Sequence, residues 1–334
     1  MKIFCDYHHA GLYHAISRLF EGRLGHELYR PIGLEWATNG IWQYSEMLAV
    51  QRQYLDLVGM TDTGKGYYTT YENSEQINHK LVTWDQFMQT DFDIILGTVS
   101  QHELPFSYLQ KRYKPQAKFV RLAGNSGEPF DWELTKNLID TTGLYPAPLL
   151  TNYVNVHQEF DESLFEYSGP GDPKKIRTYV NCFNESPHFG EYKLIRAQLS
   201  DYEWKEHGHH GQDGFLVPVT NLAQSMKEAG FILHIKSHGE GYGHIIHNAF
   251  ACGRPIITVK EYYKGKMAEP LIIDGETAIC LDGRSLQENI ERIRYYSDPE
   301  RYQKLCENAH RVFHENVNFK DDAEKVKEFL KRLQ

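Results

Sequence analysis

Among its 334 residues the chain has five cysteines, and no two of them make a C-x-x-C pair. Cys5, Cys182, Cys252, Cys280 and Cys306 are odd in number and lie mostly in apolar runs. That pattern argues against a disulfide framework and predicts reduced thiols buried as small hydrophobes. No apolar run approaches the roughly 18 residues of a membrane span. The opening MKIFCDYHH turns polar too early for a secretory signal, so a cytoplasmic location is expected. Short-period repeats and low-complexity segments are absent. So is any excess of positive charge: the net charge is −9, with 13 Lys and Arg against 21 Asp and Glu in residues 1–170 and 23 against 24 in residues 171–334. An acidic first half disfavours nonspecific grip on nucleic acid or anionic lipid.

What remains is an ordinary soluble composition, 41% apolar and 24% charged, rich in tyrosine (22) and histidine (17). The length suits two domains. MKIFCDY and GHELYRPIG read as strands flanking a helical segment with Leu12, Ile16, Leu19 and Phe20 at helical spacing. FDIILGTV (92–99) and AKFVRLAGN (117–125) are short apolar runs of the kind that form buried parallel strands. SGPGDPKK (168–175) is the best linker. Five further strands are expected at 176–183, 202–208, 231–237, 254–259 and 277–282, with helices between them. The last helix, DDAEKVKEFLKRL, carries Ala323, Val326, Phe329 and Leu330 on one face. Alternating strands and helices predict an α/β protein of two Rossmann-like domains with an interdomain cleft. The expected boundaries are 1–170, 171–315 and a C-terminal helix at 316–334, returning toward the first domain.

The densest chemistry lies in SHGEGYGHIIHNAFACGRPIIT (237–258). A strand ends near Ser237. A turn, Gly239-Glu240-Gly241-Tyr242-Gly243, leads into a helix over His244–Cys252, and Gly253 and Pro255 stop it. Ile245, Ile246, Ala249 and Phe250 form one face of that helix. His244, His247, Asn248 and Ala251 form the other, a stripe expected to face a ligand. Strand, glycine turn and helix N-terminus together favour a phosphate, through free N–H groups and the helix dipole. A metal is the rival use of His238, His244 and His247, but the spacing lacks the pattern of HExxH. Gly59-x4-Gly64-Lys65 falls short of a P-loop because Gly66 stands where Ser or Thr should hold magnesium.

This segment resembles the C-terminal domain of retaining, nucleotide-sugar-dependent glycosyltransferases of the GT-B fold (the glycosyltransferase group 1 type). Their hallmark is E-(G/P)-(F/Y)-G-x4-E-A-x-A-x-G-x-P-(V/I)-I. Here it reads Glu240-Gly241-Tyr242-Gly243, then Asn248-Ala249-Phe250-Ala251-Cys252-Gly253-Arg254-Pro255-Ile256-Ile257. EPLIIDGETAICLD (269–282), SDPERYQKLCENAHRVF (297–313) and YKLIRAQL (192–199) extend the likeness over about half the chain. The resemblance implies a GT-B fold and a hexosyltransferase-type enzyme without cofactor or metal, whose donor substrate is a nucleotide diphosphate sugar. It implies that Glu240 faces the transferred sugar's hydroxyls and that Gly241, Tyr242, Gly243 and His244 hold the diphosphate. Asn248 would meet the ribose, and Lys193 would steady the leaving phosphate, where negative charge grows. In one respect the chain departs from the pattern: Asn248 stands where the family has its second glutamate, and an amide cannot supply a charged acceptor.

The acceptor half offers His8, His9 and Gly11 after the first strand and His102 after the strand at 92–99, all at the edge where α/β folds bind ligands. His9 and His102 are candidates for binding the sugar or moving protons. Lys111, Arg112, Lys114, Lys118 and Arg121 form one basic cluster where a polyanion could dock. The expected acceptor is a saccharide or small molecule. The alternatives are a hydroxymethylated base in phage-type DNA, a non-hydrolysing sugar-nucleotide epimerase, and a silent glycan-binding module.

Overall fold

The computed structural model describes residues 1–5, 10–43, 47, 80–98, 100–145, 151–181, 183–185, 187–216, 218–236 and 240–333. His8, His9, Cys182, Ser237, His238, Gly239 and the 59–66 glycine segment lie outside the described residues. Contacts divide the chain into two compact units. The first is Met1–Phe160 with Phe319–Gln334, and the second is Asp161–Asn318. The sequence placed these boundaries at 170/171 and 315/316.

The first unit runs β1 (Lys2–Cys5), α1 (Ala10–Ser17), β2 (Glu27–Pro31), α2 (Glu35–Thr38), β3 (Lys80–Val82), α3 (Trp84–Gln89), β4 (Ile94–Gly97), α4 (Ser100–Tyr113), β5 (Lys118–Ala123), β6 (Asn137–Asp140) and β7 (Asn152–Asn155). All pairings are parallel, in the order β3-β2-β1-β4-β5-β6-β7. β1 is an interior strand, with Phe4 registered on both Tyr29 and Ile95. Alternation along β1 therefore sends Phe4 to one face and Ile3 and Cys5 to the other. Phe4 stacks on Trp36 and Phe106 in an aromatic layer completed by Phe87 and Phe92. Ile3 and Cys5 join Leu12, Ile16 and Phe20 of the helical face. β3, β6 and β7 were not foreseen: each spans four residues or fewer, too short for periodicity to declare itself.

The second unit runs β8 (Lys175–Thr178), α5 (Phe189–Gln198), β9 (Glu203–Glu206), α6 (Val219–Glu228), β10 (Phe231–Leu233), α7 (His244–Ala251), β11 (Ile256–Thr258), β12 (Ala278–Cys280), α8 (Leu286–Tyr296) and α9 (Pro299–Asn316). The sheet is again parallel, in the order β12-β11-β10-β8-β9. β8 stops at Thr178, well short of the 176–183 run expected. The chain leads from β8 out to β9 on one side and returns to β10 on the other. The carboxyl ends of β8 and β10 therefore flank the switch point, the place where open α/β sheets bind ligands. α10 (Phe319–Lys331) then packs on β7 of the first unit, with Ala323, Val326, Phe329 and Leu330 in its core.

No described helix is long and apolar enough to cross a membrane. Cys5, Cys252, Cys280 and Cys306 are buried and form no disulfide among the described residues. The basic cluster of 111–121 comes apart. Arg121 is fully buried, donating to the Gly97 and Leu122 carbonyls and paired with Glu128. Lys114 turns inward to the Met88 carbonyl, 2.9 Å away. Lys111, Arg112 and Lys118 remain exposed.

Candidate functional site

α7 begins where the sequence required a glycine. Gly243 caps it in the left-handed region, at φ 83° and ψ 55°, where a side chain would be strained. No side-chain hydrogen bond caps this end; Ile246 and His247 N–H donate to the Gly243 carbonyl at 3.0 and 3.1 Å, which leaves the N–H groups of His244 and Ile245 ahead of the intrahelical ladder. The far end closes in a Schellman motif. Arg254 N–H donates to the Ala249 carbonyl at 2.7 Å and Gly253 N–H to that of Phe250 at 2.9 Å, with Gly253 at φ 65°. The Arg254 guanidinium is buried and donates to the carbonyls of Gly169, Met226 and Lys227, which fixes α7 and β11 to the entry of the unit.

Glu240 follows β10 and sits against this helix start. Its Oε2 is 3.6 Å from where a Cβ on Gly243 would be. The same oxygen accepts from His234 Nε2 at 2.5 Å, and Lys236 Nζ lies 3.5 Å from Oε1. Burial acts to raise the Glu240 pKa, but His234, Lys236 and His244 outweigh it and hold the carboxyl well below the usual carboxylate range. Glu240 is thus a largely enclosed, ionised acceptor. Tyr263 and Lys266, on the loop after β11, complete its surroundings. Burial and then the Glu240 charge raise the Tyr263 phenol, and burial lowers Lys266. Sequence reasoning missed His234, Lys236, Tyr263 and Lys266. HxK at the end of a strand, six and four residues before a motif glutamate, was the available signal.

The predicted site residues fall in different places. Glu240, Gly241, Tyr242, Gly243, His244 and Asn248 come together at the start of α7. Asn248 is 6% exposed, and its Oδ1 is buried without a hydrogen-bond partner among the described residues. Such an acceptor suits a ligand hydroxyl. His247 is turned into the interior of the unit. It is fully buried, stacked on Tyr242 with ring centroids 4.0 Å apart, and its Nδ1–H donates to the Gly243 carbonyl at 2.9 Å. The expected polar stripe is therefore internal at this position, because α7 is enclosed almost all round and packs on α9. Among the described residues no three His, Cys, Asp or Glu side chains are grouped to hold a metal ion.

Lys193 is exposed on α5, its ammonium over the Phe189 ring at 5.2 Å. His102 is 8% exposed in the first unit, stacked on Phe106 and facing Trp42 Nε1 at 3.3 Å. His9 lies outside the described residues.

Whole-chain comparison agrees with this architecture. Anabaena HepE in complex with UDP-glucose superposes with a TM-score of 0.65 at 13% identity, over 99% of this chain and all of that one. An alpha-glucosyltransferase in complex with UDP and a 13-mer DNA containing an HMU base gives 0.66 at 11% identity, over 99% of both chains. Sucrose-phosphate synthase from Thermosynechococcus elongatus gives 0.63 at 11% identity, over 100% and 99%. The fold is GT-B. No family model matches the sequence, and no curated protein matches it. At these identities the likeness concerns the fold, and chemistry has to be argued from the site.

Proposed function

We propose that the chain is a glycosyltransferase that moves a sugar from a nucleotide diphosphate donor to a hydroxyl acceptor, with retention and without a metal ion. The observation that carries this reading is Glu240. It is an ionised carboxylate, enclosed among cations at the uncapped N-terminus of α7, at the carboxyl end of β10. A carboxylate accepts from paired sugar hydroxyls, and the helix start receives phosphate oxygens. The bond from the sugar's anomeric carbon to the phosphate oxygen breaks, and its electron pair leaves on the diphosphate. The acceptor oxygen bonds to the anomeric carbon and gives up its proton to the departing phosphate oxygen. Cations and oriented N–H groups stabilise the charge that develops on the leaving group. The neighbouring structures that hold UDP or UDP-glucose support the donor class, and retention is carried over from the motif resemblance.

A saccharide or small-molecule acceptor is favoured over DNA, since two of the five cations in the 111–121 cluster are committed internally. The test is a thermal-shift panel of nucleotide sugars and free nucleotides, because a ligand that binds the folded state raises the melting temperature. Turnover is then followed by NMR with and without saccharide acceptors and hydroxymethylated DNA. Glycoside formation that requires Glu240 supports the reading. Acceptor-independent conversion of the donor means an epimerase. No response to any nucleotide, or equal inactivity of wild type and Glu240→Ala, means a silent module.

A further inference from the structure

Lys266 is an inward-turned cation that forms no ion pair among the described residues. It lies between β11 and β12 and is 8% exposed. Among the described residues, no carboxylate lies within ion-pair distance of its ammonium and no acceptor takes its hydrogen bonds; the Tyr263 ring lies 5.6 Å away, to the centroid. A fold that draws a lysine inward without giving its ammonium an ion-pair partner leaves that charge available to a ligand anion. Its position identifies the anion. Lys266 interacts electrostatically with both Glu240 and Lys236, and Ala268, two residues on, meets the start of α7 at Gly243.

Around that helix start the charges do not balance. Lys236 and Lys266 oppose the single carboxylate of Glu240, and the N-terminal dipole adds to the positive side. Lys236 lies 3.5 Å from Glu240, whereas Lys266 forms no ion pair among the described residues. A diphosphate would neutralise the excess. By contrast, the exposed ammonium of Lys193 lies over Phe189, and none of the interactions that shape the Glu240 carboxylate comes from it.

We propose that Lys266, with Lys236 beside it, forms the cationic seat for the donor's diphosphate, the role the motif resemblance would give to Lys193. This rests on the reading of the site as a nucleotide-sugar site. When the glycosidic C–O bond breaks, the departing oxygen keeps the electron pair, and a fixed ammonium next to it lowers the energy of that charge.

The experiment is calorimetric binding to the full chain of inorganic pyrophosphate, of UDP, GDP and ADP, and of the nucleoside matching whichever diphosphate binds. Lys266→Gln is expected to weaken pyrophosphate and diphosphate binding by about 30-fold while leaving the nucleoside within about twofold. Lys266→Arg should restore most of the loss. Lys205→Gln, an exposed lysine on β9, should change nothing. Lys236→Gln, on a half-exposed side chain that the fold does not depend on, should cost about fivefold for pyrophosphate. The proposal is overturned if Lys266→Gln binds pyrophosphate like wild type, or loses nucleoside and diphosphate in equal measure. If Lys266→Gln fails to fold, unchanged pyrophosphate binding by Lys236→Gln overturns it instead. A wild type that binds none of these anions overturns the proposed function itself, whereas a wild type and a Lys266→Gln variant that both bind well overturn only this inference.

Discussion

His234 Nε2 and Glu240 Oε2 stand 2.5 Å apart, joining the end of β10 to the turn that opens α7. His234 is 1% exposed and its own backbone N–H donates to the Ile257 carbonyl at 2.9 Å, so the imidazole is anchored before it reaches the carboxylate. The pair fixes where the Glu240 carboxylate points. It also couples that position to pH.

Glu240→Gln tests the coupling. The folded-state pKa of Glu240 lies below its ordinary value, so its ionisation stabilises the fold fully above the unfolded value, and that stabilisation disappears as pH falls toward the folded one. Removing the charge takes away the carboxylate that His234 and Lys236 bond to and that acts on Lys266 from beyond ion-pair distance. The expected loss is about 2 kcal/mol at pH 7, shrinking in acid as the wild type loses the same contribution. Urea unfolding of both proteins at pH 7 and near pH 3.5 measures it. A gap that widens in acid contradicts the assignment.

Asn248→Ala separates the two ends of the donor. The buried Oδ1 is placed to accept a hydrogen bond from a hydroxyl, one turn into α7 and away from the phosphate end. The variant should bind nucleoside diphosphate about tenfold more weakly and pyrophosphate as well as before. Calorimetry with both ligands decides. An equal loss for pyrophosphate would mean that Asn248 holds the helix in place rather than a ribose.

Much of this was written locally in the chain. Glycines at 243 and 253 marked the ends of α7 because both positions need positive φ, and the apolar stripe of α10 marked its buried face. The parallel core strands were legible because they are continuous apolar runs. Other features depend on neighbours distant in sequence. β7, read as NYVN, is a strand because β6 and α10 flank it. Lys114 and Arg121 look like surface cations until the Met88 carbonyl and Glu128 claim them. His247 reads as half of a ligand pair until Tyr242 stacks on it. Lys266 carries no motif at all; its burial and its proximity to Glu240 exist only in the fold.

Gly230→Ala should unsettle the second unit without touching the site. A Cβ there would come within 2.1 Å of the Asp172 carbonyl oxygen, and one on Gly171 within 2.0 Å of that of Ala229. Backbone meets backbone at this point, and the Arg254 guanidinium bonds to both segments, so neither can yield cheaply. The expected cost is about 3 kcal/mol, or very roughly 10 °C in melting temperature for a unit of this size. Calorimetric melting checks it, and a shift under about 2 °C would show that the segments part easily.

Asp322→Asn tests how the last helix is tied to the first unit. Asp322 Oδ2 accepts from the His157 backbone N–H at 2.9 Å and from its Nδ1 at 2.7 Å, and Lys325 reaches Oδ1 at 2.7 Å. The carboxylate is 3% exposed. Burial opposes its ionisation, but the His157 hydrogen bond and the adjacent charges hold its pKa below the usual range. It therefore stabilises the docked helix above that range and releases it as pH falls. An amide keeps the shape and one acceptor but loses the charge, at a cost of about 1–2 kcal/mol at neutral pH. The loss should be local. Phe329 and Leu330 remain buried against the core and Arg332 still reaches Asn152 at 2.8 Å, so the C-terminal turn stays docked while the first turn, Phe319 to Ala323, frays. Hydrogen exchange resolves this: protection in Asp322→Asn should fall near His157 and the first turn of α10 and persist around Leu330. Uniform loss along α10 would instead mean that this one carboxylate holds the whole helix, and that its apolar face contributes little alone.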